Sequence, residues 1–223
     1  MAIPVSLWKK IIAADSDRFS RLHDGQGNIV SFAEVAALPI RVLEHFQAKR
    51  GKYSDGPWWP RNAVAAVDAA ITSKTCVVEF GSGMSTIWLA RRAQRVISVE
   101  TNPEWAQRTR QALKKADVSN AEVLDRTPET YFDIPEQHID LVVVDALRRG
   151  ECVRWALSRI GSAGAIYLDN SDLDRDQGLE GVHNLARQLL LNEAADGKGT
   201  VRFFTGYPPA NLAPTEGALF LKG

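Results

Sequence analysis

A glycine-rich segment in the first half of the chain, residues 79–86, is the clearest candidate for chemistry. It reads Glu-Phe-Gly-Ser-Gly-Met-Ser-Thr and follows an apolar, β-branched run that is typical of a buried parallel strand. Glycines let the backbone approach a ligand that a side chain would block. In an open α/β sheet, ligands bind beyond the carboxyl ends of the strands. The turn therefore indicates a ligand site, and a tight strand-to-helix turn without a ligand is the alternative.

An acidic residue further along the chain makes this interpretation more specific. Glu100 ends the next predicted strand, residues 95–100, about twenty residues after the turn. A carboxylate at that place can accept hydrogen bonds from both hydroxyls of a ribose, each contributing about 1.5–3 kcal/mol. Together, the turn and the acid predict a nucleoside site.

NAD is the natural competitor for such a site, because its fingerprint also combines glycines with a ribose acid. Thr86 stands where the third glycine of that fingerprint would allow close helix packing. Glu79 lies immediately before the turn, where its charge would repel a pyrophosphate but suits a cationic ligand. No Gly-Lys-Ser/Thr phosphate loop occurs, and no catalytic His or Tyr-x-x-x-Lys set is evident. An NAD-linked oxidoreductase and a non-catalytic binding protein on the same scaffold remain the alternatives.

Strands and helices alternate from residue 75 onward, which predicts a doubly wound, Rossmann-like α/β sheet. The last two strands have no helix between them, and such a connection favours an antiparallel pair. We therefore predict a seven-stranded sheet with an antiparallel C-terminal hairpin, its strands at residues 76–80, 95–100, 121–124, 139–144, 165–168, 201–204 and 218–221. A long helix is predicted at about residues 177–192, before the hairpin.

The first fifty residues carry a helical pattern instead. Residues 31–34 fit a capping box, and apolar side chains follow at helical spacing as far as Phe46. After a loop, Pro60 is placed to begin a helix that reaches Ala70. We predict a helical extension over residues 1–57, forming a lid or part of a substrate pocket, and one catalytic domain over residues 58–223.

The segment from Glu79 to Gly83, the strand ending at Glu100 and residues 101–105 resemble motif I and the following acidic motif of class I S-adenosylmethionine-dependent methyltransferases. The resemblance implies that the glycine turn lines the methionine moiety, that Glu100 holds the ribose, and that Asp125 or Arg126 lies near the adenine. The predicted cofactor-binding residues are Glu79, Gly81, Ser82, Gly83, Ser85, Thr86, Glu100, Thr101, Asp125, Arg126 and Asp145.

Two further strand ends could carry the chemistry, since methyl transfer requires alignment and removal of the acceptor's proton. Asp145 follows the fourth strand, and Asp169 and Asn170 follow the fifth. This trio resembles the metal site of catechol-type O-methyltransferases, and its oxygen ligands suit Mg²⁺. A lysine is expected three residues after the first aspartate, but Arg148 stands there and is a poor base.

We predict Asp145 and Arg149 as catalytic residues and Asp145, Asp169 and Asn170 as metal ligands. The alternatives are that Asp169 and Asn170 only cap the following segment and that Arg149 is a solvated residue at a helix start. The aromatic residues Tyr53, Trp58 and Trp59 are lid candidates, with core packing as the alternative.

A second resemblance is to a poorly characterised group of bacterial methyltransferases. It is carried by Trp58-Trp59-Pro60, by residues 145–152 and by Asp-Asn-Ser-Asp at residues 169–172. Ala146 replaces a glycine of that pattern, and Cys152 comes one residue late. This second resemblance supports the predicted fold and cofactor, but it does not identify a substrate.

Composition narrows the remaining function classes. Basic and acidic residues number 27 each, and no base-flipping motif with proline and an aromatic residue occurs, so a nucleic-acid substrate is disfavoured. The N-terminus shows no signal-peptide pattern and no apolar run could span a bilayer, so we expect a cytoplasmic protein without a membrane partner. We predict methylation of a small-molecule acceptor on O or N, with or without Mg²⁺, and the sequence leaves the oligomeric state open, a homodimer included.

Overall fold

The computed structural model describes residues 19–51, 56–173 and 184–223. A seven-stranded sheet forms its centre, in the order β3-β2-β1-β4-β5-β7-β6. Strands β1 to β5 are parallel, and β7 runs antiparallel to both β5 and β6. The predicted doubly wound sheet with its antiparallel C-terminal hairpin is therefore confirmed. The strands are β1 Cys76–Phe80, β2 Arg95–Glu100, β3 Ala121–Asp125, β4 Leu141–Val144, β5 Ala165–Leu168, β6 Gly199–Gly206 and β7 Thr215–Lys222.

Helices cover both faces of the sheet: α1 Phe32–Ala36, α2 Leu38–Ala48, α3 Arg61–Ala70, α4 Met84–Ala90, α5 Pro103–Lys115, α6 Arg149–Arg159 and α7 Leu185–Ala195. Residues of α3 and α4 share one hydrophobic cluster with the strands, and residues of α6 and α7 share the other. Within the described ranges, no helix combines the length and the apolar character that crossing a membrane requires.

Neighbouring residues of β1 show why its sequence is apolar at every position except Glu79. Val77 packs into the cluster on the α3 and α4 side, whereas Val78 and Phe80 pack into the cluster on the α6 and α7 side. A parallel strand that is covered on both faces needs apolar residues at successive positions. The strand order reverses between β1 and β4, and this switch point is where open α/β sheets bind ligands.

Predicted boundaries hold best for the buried strands. The structure gives β1, β2 and β5 their predicted bounds, whereas β4 begins two residues later, at Leu141. Both hairpin strands are longer than predicted, because β6 and β7 pair along their whole length. Of the predicted helix at 177–192, residues 177–183 lie outside the described part, and α7 continues to Ala195.

The predicted N-terminal helix is divided into two helices. Ser31 caps α1 by accepting a hydrogen bond from the amide of Glu34 at 3.3 Å, as the capping box predicts. The Glu34 carboxylate instead accepts the amide of Tyr207 at 3.1 Å. The division falls at Ala37, just before Pro39, which has no amide hydrogen to continue the helical ladder. The apolar side chains of Leu43 and Phe46 on α2 are exposed.

Polar contacts hold the segment before α1 against the carboxyl edge of the sheet. Asp24 accepts the Thr205 hydroxyl at 2.6 Å, and Asp172 accepts the amide of Gly25 at 2.8 Å. Glu216 accepts the side-chain amide of Asn28 at 3.1 Å, and burial raises the pKa of Glu216 to about 7. The segment is thus bonded to the sheet, and the division of the chain at residue 57 stays a prediction.

Candidate cofactor and active site

A cleft of about 540 Å³ opens at the carboxyl edge of the sheet, where β1, β2 and β4 end. Its lining comes from the glycine turn, the end of β2, the start of α5 and the segments after β3 and β4. The lining residues are Gly81, Ser82, Glu100, Thr101, Asn102, Trp105, Pro128, Tyr131, Asp145, Ala146, Leu147, Arg148 and Arg149. Five of the predicted cofactor-binding residues are among them: Gly81, Ser82, Glu100, Thr101 and Asp145.

Gly81 holds the turn in a conformation that only glycine tolerates well. Its φ is +89°, and a Cβ at this position would overlap the backbone carbonyl oxygen of Asp145. The amide of Asp145 donates to the carbonyl of Phe80 at 2.9 Å, so the ends of β1 and β4 are bonded together here. The glycine therefore serves the packing of the strand ends as well as the approach of a ligand.

Glu100 bridges the end of β2 and the glycine turn from within the cleft. Its Oε2 accepts the amide of Ser82 at 3.1 Å and the Ser82 hydroxyl at 3.2 Å. Its Oε1 accepts the amides of Thr101 and Asn102, both at 2.9 Å. A carboxylate offers about four acceptor positions. A ribose diol would therefore replace the longer bonds, which are the two to Ser82.

Glu79 lies beneath the turn and outside the cleft lining. Its buried carboxyl accepts the hydroxyls of Ser85 at 2.5 Å and Thr86 at 2.6 Å, and that of Ser98. Burial raises the pKa of Glu79 to about 7 against the lowering effect of these hydroxyls, and the charge of Asp145 adds to the rise. Thr86 also accepts the amide of Gly83 at 3.0 Å. The structure thus places Glu79, Ser85 and Thr86 where they support the turn.

Arg149 joins the ends of β4 and β5 and is buried. Its Nη2 donates to Asp145 Oδ1 at 3.1 Å, and its Nε donates to the carbonyl of Asp169 at 3.1 Å. Its Nη1 donates to the carbonyl of Ala146 at 2.5 Å. The solvated alternative for Arg149 is therefore wrong. The Asp145 side chain keeps 41% of its surface exposed and faces the cleft from this fixed position.

Of the predicted metal ligands, Asp145 lines the cleft, whereas Asp169 and Asn170 do not. Asp169 is buried, accepts the Tyr167 hydroxyl at 3.2 Å and does not line the cleft. Burial and the charge of Asp145 hold the pKa of Asp169 well above its ordinary value. Among the described residues, no group of three His, Cys, Asp or Glu side chains is arranged to hold a metal ion. The Arg149 guanidinium pairs with Asp145 at 3.1 Å, and Mg²⁺ binding by Asp145, Asp169 and Asn170 stays a prediction.

The residues predicted near the adenine, Asp125 and Arg126, are not part of the cleft lining. Asp125 is exposed at the end of β3, and Arg126 donates from Nη2 to the carbonyl of Asp133 at 3.3 Å. Trp105, Pro128 and Tyr131 line the cleft instead. Trp105 is 46% exposed and donates from its indole N–H to the carbonyl of Ser82. A large aromatic residue on the polar first turn of α5 is the signal by which Trp105 could have been found.

Arg148 stands where the resemblance expects a lysine, and its contacts are structural. It donates from Nε to Glu151 at 2.9 Å and from Nη1 to the carbonyl of Pro128 at 3.0 Å. These bonds tie the segment after β3 to the start of α6. Arg148 thus shapes one wall of the cleft.

The aromatic residues proposed as a lid separate into different roles. Tyr53 lies outside the described residues. Trp58 is about half exposed, whereas Trp59 is buried with its ring centroid 4.3 Å from that of Tyr167. For Trp59 the packing alternative is confirmed.

Comparisons with known proteins find one family model and several solved structures that resemble this chain. Residues 78–170 match the family model described as a methyltransferase domain. No curated protein sequence matches the chain.

Several solved structures share the fold. An O-methyltransferase from Bacillus cereus in complex with SAH has a TM-score of 0.62 at 16% identity, covering 86% of this chain and 97% of the other. The O-methyltransferase TomG from Streptomyces achromogenes, in complex with SAM, scores 0.58 at 18% identity over 98% and 94%. The cofactor-bound protein Rv0187 from MTB scores 0.58 at 23% identity over 84% and 89%. At these identities the likeness concerns the fold.

Proposed function

We propose that this chain is a class I S-adenosylmethionine-dependent methyltransferase. We further propose that it transfers a methyl group to an oxygen or nitrogen of a small-molecule acceptor. The observation that carries the proposal is the position of Glu100, whose carboxylate faces the same cleft as the glycine turn. That pairing suits the ribose of a nucleoside cofactor. SAH and SAM are the ligands named for two of the similar structures.

The residues of the cleft suit S-adenosylmethionine in distinct ways. Glu100 would hold the ribose, and the turn at residues 81–83 would hold the methionine moiety. Trp105 and Tyr131 would flank the adenine with aromatic surface. When bound, this cofactor supplies a methyl group on a sulfonium, which is an electrophile.

Asp145 is the side chain best placed to act on the acceptor. It lies at the end of β4, partly exposed to the cleft, and can take a proton from a hydroxyl or ammonium group or orient it. Arg149 is a positioning residue, because it fixes one oxygen of Asp145 and is itself held by two backbone carbonyls. The proposal holds with or without Mg²⁺, and metal binding by Asp145, Asp169 and Asn170 stays a prediction.

Ligand binding tests the proposal at its first step. S-adenosylhomocysteine should raise the melting temperature of the pure protein by several degrees, because a ligand that binds only the folded state stabilises it. The Glu100→Gln variant should show little of that rise. A rise with NADH and none with S-adenosylhomocysteine would instead support the oxidoreductase alternative.

Transfer of a labelled methyl group tests the second step. The protein is incubated with methyl-labelled cofactor and a fractionated pool of small metabolites, and the label in each fraction is counted. We expect label in at least one fraction and a large loss with Asp145→Asn. Cofactor binding without transfer to any fraction would indicate the non-catalytic alternative.

A further inference from the structure

A second cleft, of about 380 Å³, lies against α2, α3 and α4 and shares no residue with the first. Its lining combines charged and apolar side chains from both ends of the chain: Arg41, Glu44, Gly56, Pro57, Trp59, Arg61, Val64, Ala65, Asp68, Trp88, Arg92 and Pro209. Nothing in the cofactor chemistry uses these residues. Cofactor binding in the first cleft therefore does not explain the second cleft.

Arg41 is the unusual member of this lining, because its side chain is completely buried. Its Nη1 is paired with Glu44, its partner on the next turn of α2. Its Nε and Nη2 have no hydrogen-bond partner among the described residues. Buried polar groups are normally paired, and leaving donors of a charged group without an acceptor is costly. Nε and Nη2 of Arg41 are thus two buried donors of a charged group that lack an acceptor among the described residues.

Trp59 presents a second donor of the same kind. Its side chain is 1% exposed, and its indole N–H also lacks a hydrogen-bond partner within the described chain. Its ring is held by Tyr167, at 4.3 Å between centroids, and by Trp88, at 6.1 Å. Two elements therefore bring buried, unpartnered donors to the lining of one cleft.

The other charges of the cleft are already paired. Arg92 donates to Asp68 at 2.5 Å and lies 4.0 Å above the ring of Trp88, and Arg61 lies 3.5 Å from Glu44. Three arginines against two carboxylates leave a net charge of +1. Among the described residues that line the cleft, the buried donors without an acceptor are the Trp59 indole N–H and the Nε and Nη2 edge of Arg41. That edge is a planar fork that matches a carboxylate or a phosphate.

The remaining walls of the cleft are apolar. Pro57, Val64, Ala65, Trp88 and Pro209 surround the charged groups. Such walls suit the hydrocarbon or aromatic body of a ligand, with a few polar groups fixing its orientation. A small organic anion meets both requirements.

We propose that this second cleft is a binding site for an oxyanion, the carboxylate or phosphate of a small apolar molecule, held by the Nε and Nη2 edge of Arg41 and the indole N–H of Trp59. The oxyanion supplies the acceptor that both donors lack. The proposal does not require methyl transfer, because the two clefts share no residue.

Titrations with three probes test the site: inorganic phosphate, acetate and benzoate, at constant ionic strength, followed by calorimetry and by tryptophan emission. We expect saturable binding of phosphate and benzoate. Arg41→Met should weaken both at least about tenfold, since it removes the charged fork. Arg41→Lys keeps the charge without the fork and should also weaken them, and Trp59→Phe should weaken them severalfold.

Controls separate a binding role from a structural one. Arg95→Gln removes an exposed arginine remote from the cleft and should leave all three affinities unchanged. Arg41→Met should bind S-adenosylhomocysteine as the parent protein does. Without ligand its melting temperature should be equal or higher, because the substitution removes unpartnered buried donors, whereas a purely structural Arg41 requires a fall.

The probes also identify the source of the oxyanion. Benzoate binding that is at least fivefold tighter than acetate binding supports an organic ligand with an apolar body. Arg41-dependent phosphate binding without that preference supports the oxyanion site and assigns it to the free ion. Absence of saturable binding for every probe, or equal affinities in the parent and in both Arg41 variants, overturns the proposal.

Discussion

Glu100 and Arg41 lie in two different clefts of the molecule and differ in whether their hydrogen-bonding groups have partners. The four acceptor positions of Glu100 are occupied by hydrogen bonds from Ser82, Thr101 and Asn102. Two donors of Arg41 have no acceptor on the described chain. In the first cleft the carboxylate is therefore fully bonded without a ligand, whereas in the second two donors of Arg41 lack an acceptor among the described residues.

This difference has a physical origin in how each cleft is built. Backbone amides at the end of β2 and in the turn after β1 hold Glu100, so a local motif prepares the first cleft. The second cleft is assembled from side chains that come together only through packing of α2, α3 and α4. Substitutions in the first cleft should therefore disturb both fold and ligand binding, and the predictions below test this in order of expected size.

The largest effect is expected from Gly81→Ala. The new Cβ would overlap the carbonyl of Asp145, and its φ of +89° is strained for alanine. We expect a loss of about 3 kcal/mol or more in the free energy of unfolding, measured by urea denaturation, and loss of S-adenosylhomocysteine binding. Gly197→Ala is the matched control, since Gly197 has a φ of +75° with nothing within 4 Å of the added Cβ. Equal losses in the two variants would contradict the packing role of Gly81.

Glu100→Gln should have the next largest effect, on binding. The change keeps the size of the side chain and removes its charge, which weakens two hydrogen bonds to the ribose by about 1–2 kcal/mol each. We expect the Kd for S-adenosylhomocysteine to rise about 30- to 800-fold in calorimetry. The melting temperature of the free protein should also fall, because the side-chain nitrogen of Gln cannot accept the hydrogen bonds that the carboxylate accepts. Glu104→Gln, on the exposed start of α5, should leave the Kd unchanged. A Kd within threefold of the parent value would remove Glu100 from the ribose site.

Glu79, which supports the glycine turn from beneath, should make the free energy of unfolding depend on pH. Burial raises the pKa of Glu79 to about 7, so the folded protein holds a proton that the unfolded chain releases near pH 4.5. The free energy of unfolding should therefore fall as pH rises from about 4.5 to about 7, by at most about 1.4 kcal/mol per pH unit for each such group.

Glu216, whose pKa is raised to about 7, and Asp169, whose pKa is raised well above its ordinary value, contribute in the same direction. Glu79→Gln should accordingly remove about a third of the slope, measured by urea denaturation at a series of pH values. Glu104→Gln again serves as the control and should retain the full slope. An unchanged slope in Glu79→Gln would show that Glu79 is ionised in the folded protein.

The smallest effect is expected from Trp105→Phe. The substitution keeps an aromatic wall and removes one hydrogen bond to the carbonyl of Ser82, worth about 1 kcal/mol. We expect the Kd for S-adenosylhomocysteine to rise about fivefold, with the phosphate affinity of the second cleft unchanged. Equal changes at both clefts would indicate a general loss of structure.

The sequence predicted the sheet and the first cleft well, because both rest on local patterns. Buried parallel strands have continuous apolar runs, so β1, β2 and β5 were predicted to the residue. The glycine turn and Glu100 follow strands directly, which fixes their place at the carboxyl edge. Asp145 lines the cleft for the same reason.

Local sequence patterns could not predict contacts between distant parts of the chain. The sequence alone could not decide whether Arg149 is catalytic or a solvated residue at a helix start, because its bond to the carbonyl of Asp169 depends on how α6 packs against β5. Asp169 and Asn170 follow a strand as Asp145 does, yet burial of Asp169 removes it from the cleft. Arg41 carries no local signal at all, since the apolar neighbours that mark α2 as amphipathic are the exposed ones.

A crystal structure of the protein with S-adenosylhomocysteine tests the central claim most directly. We expect the nucleoside in the cleft of about 540 Å³, with both ribose hydroxyls about 2.6–2.8 Å from the Glu100 carboxylate, the Ser82 bonds to Glu100 released and the sulfur on the Asp145 side. A nucleoside bound elsewhere, with Glu100 still bonded to Ser82, would contradict the account.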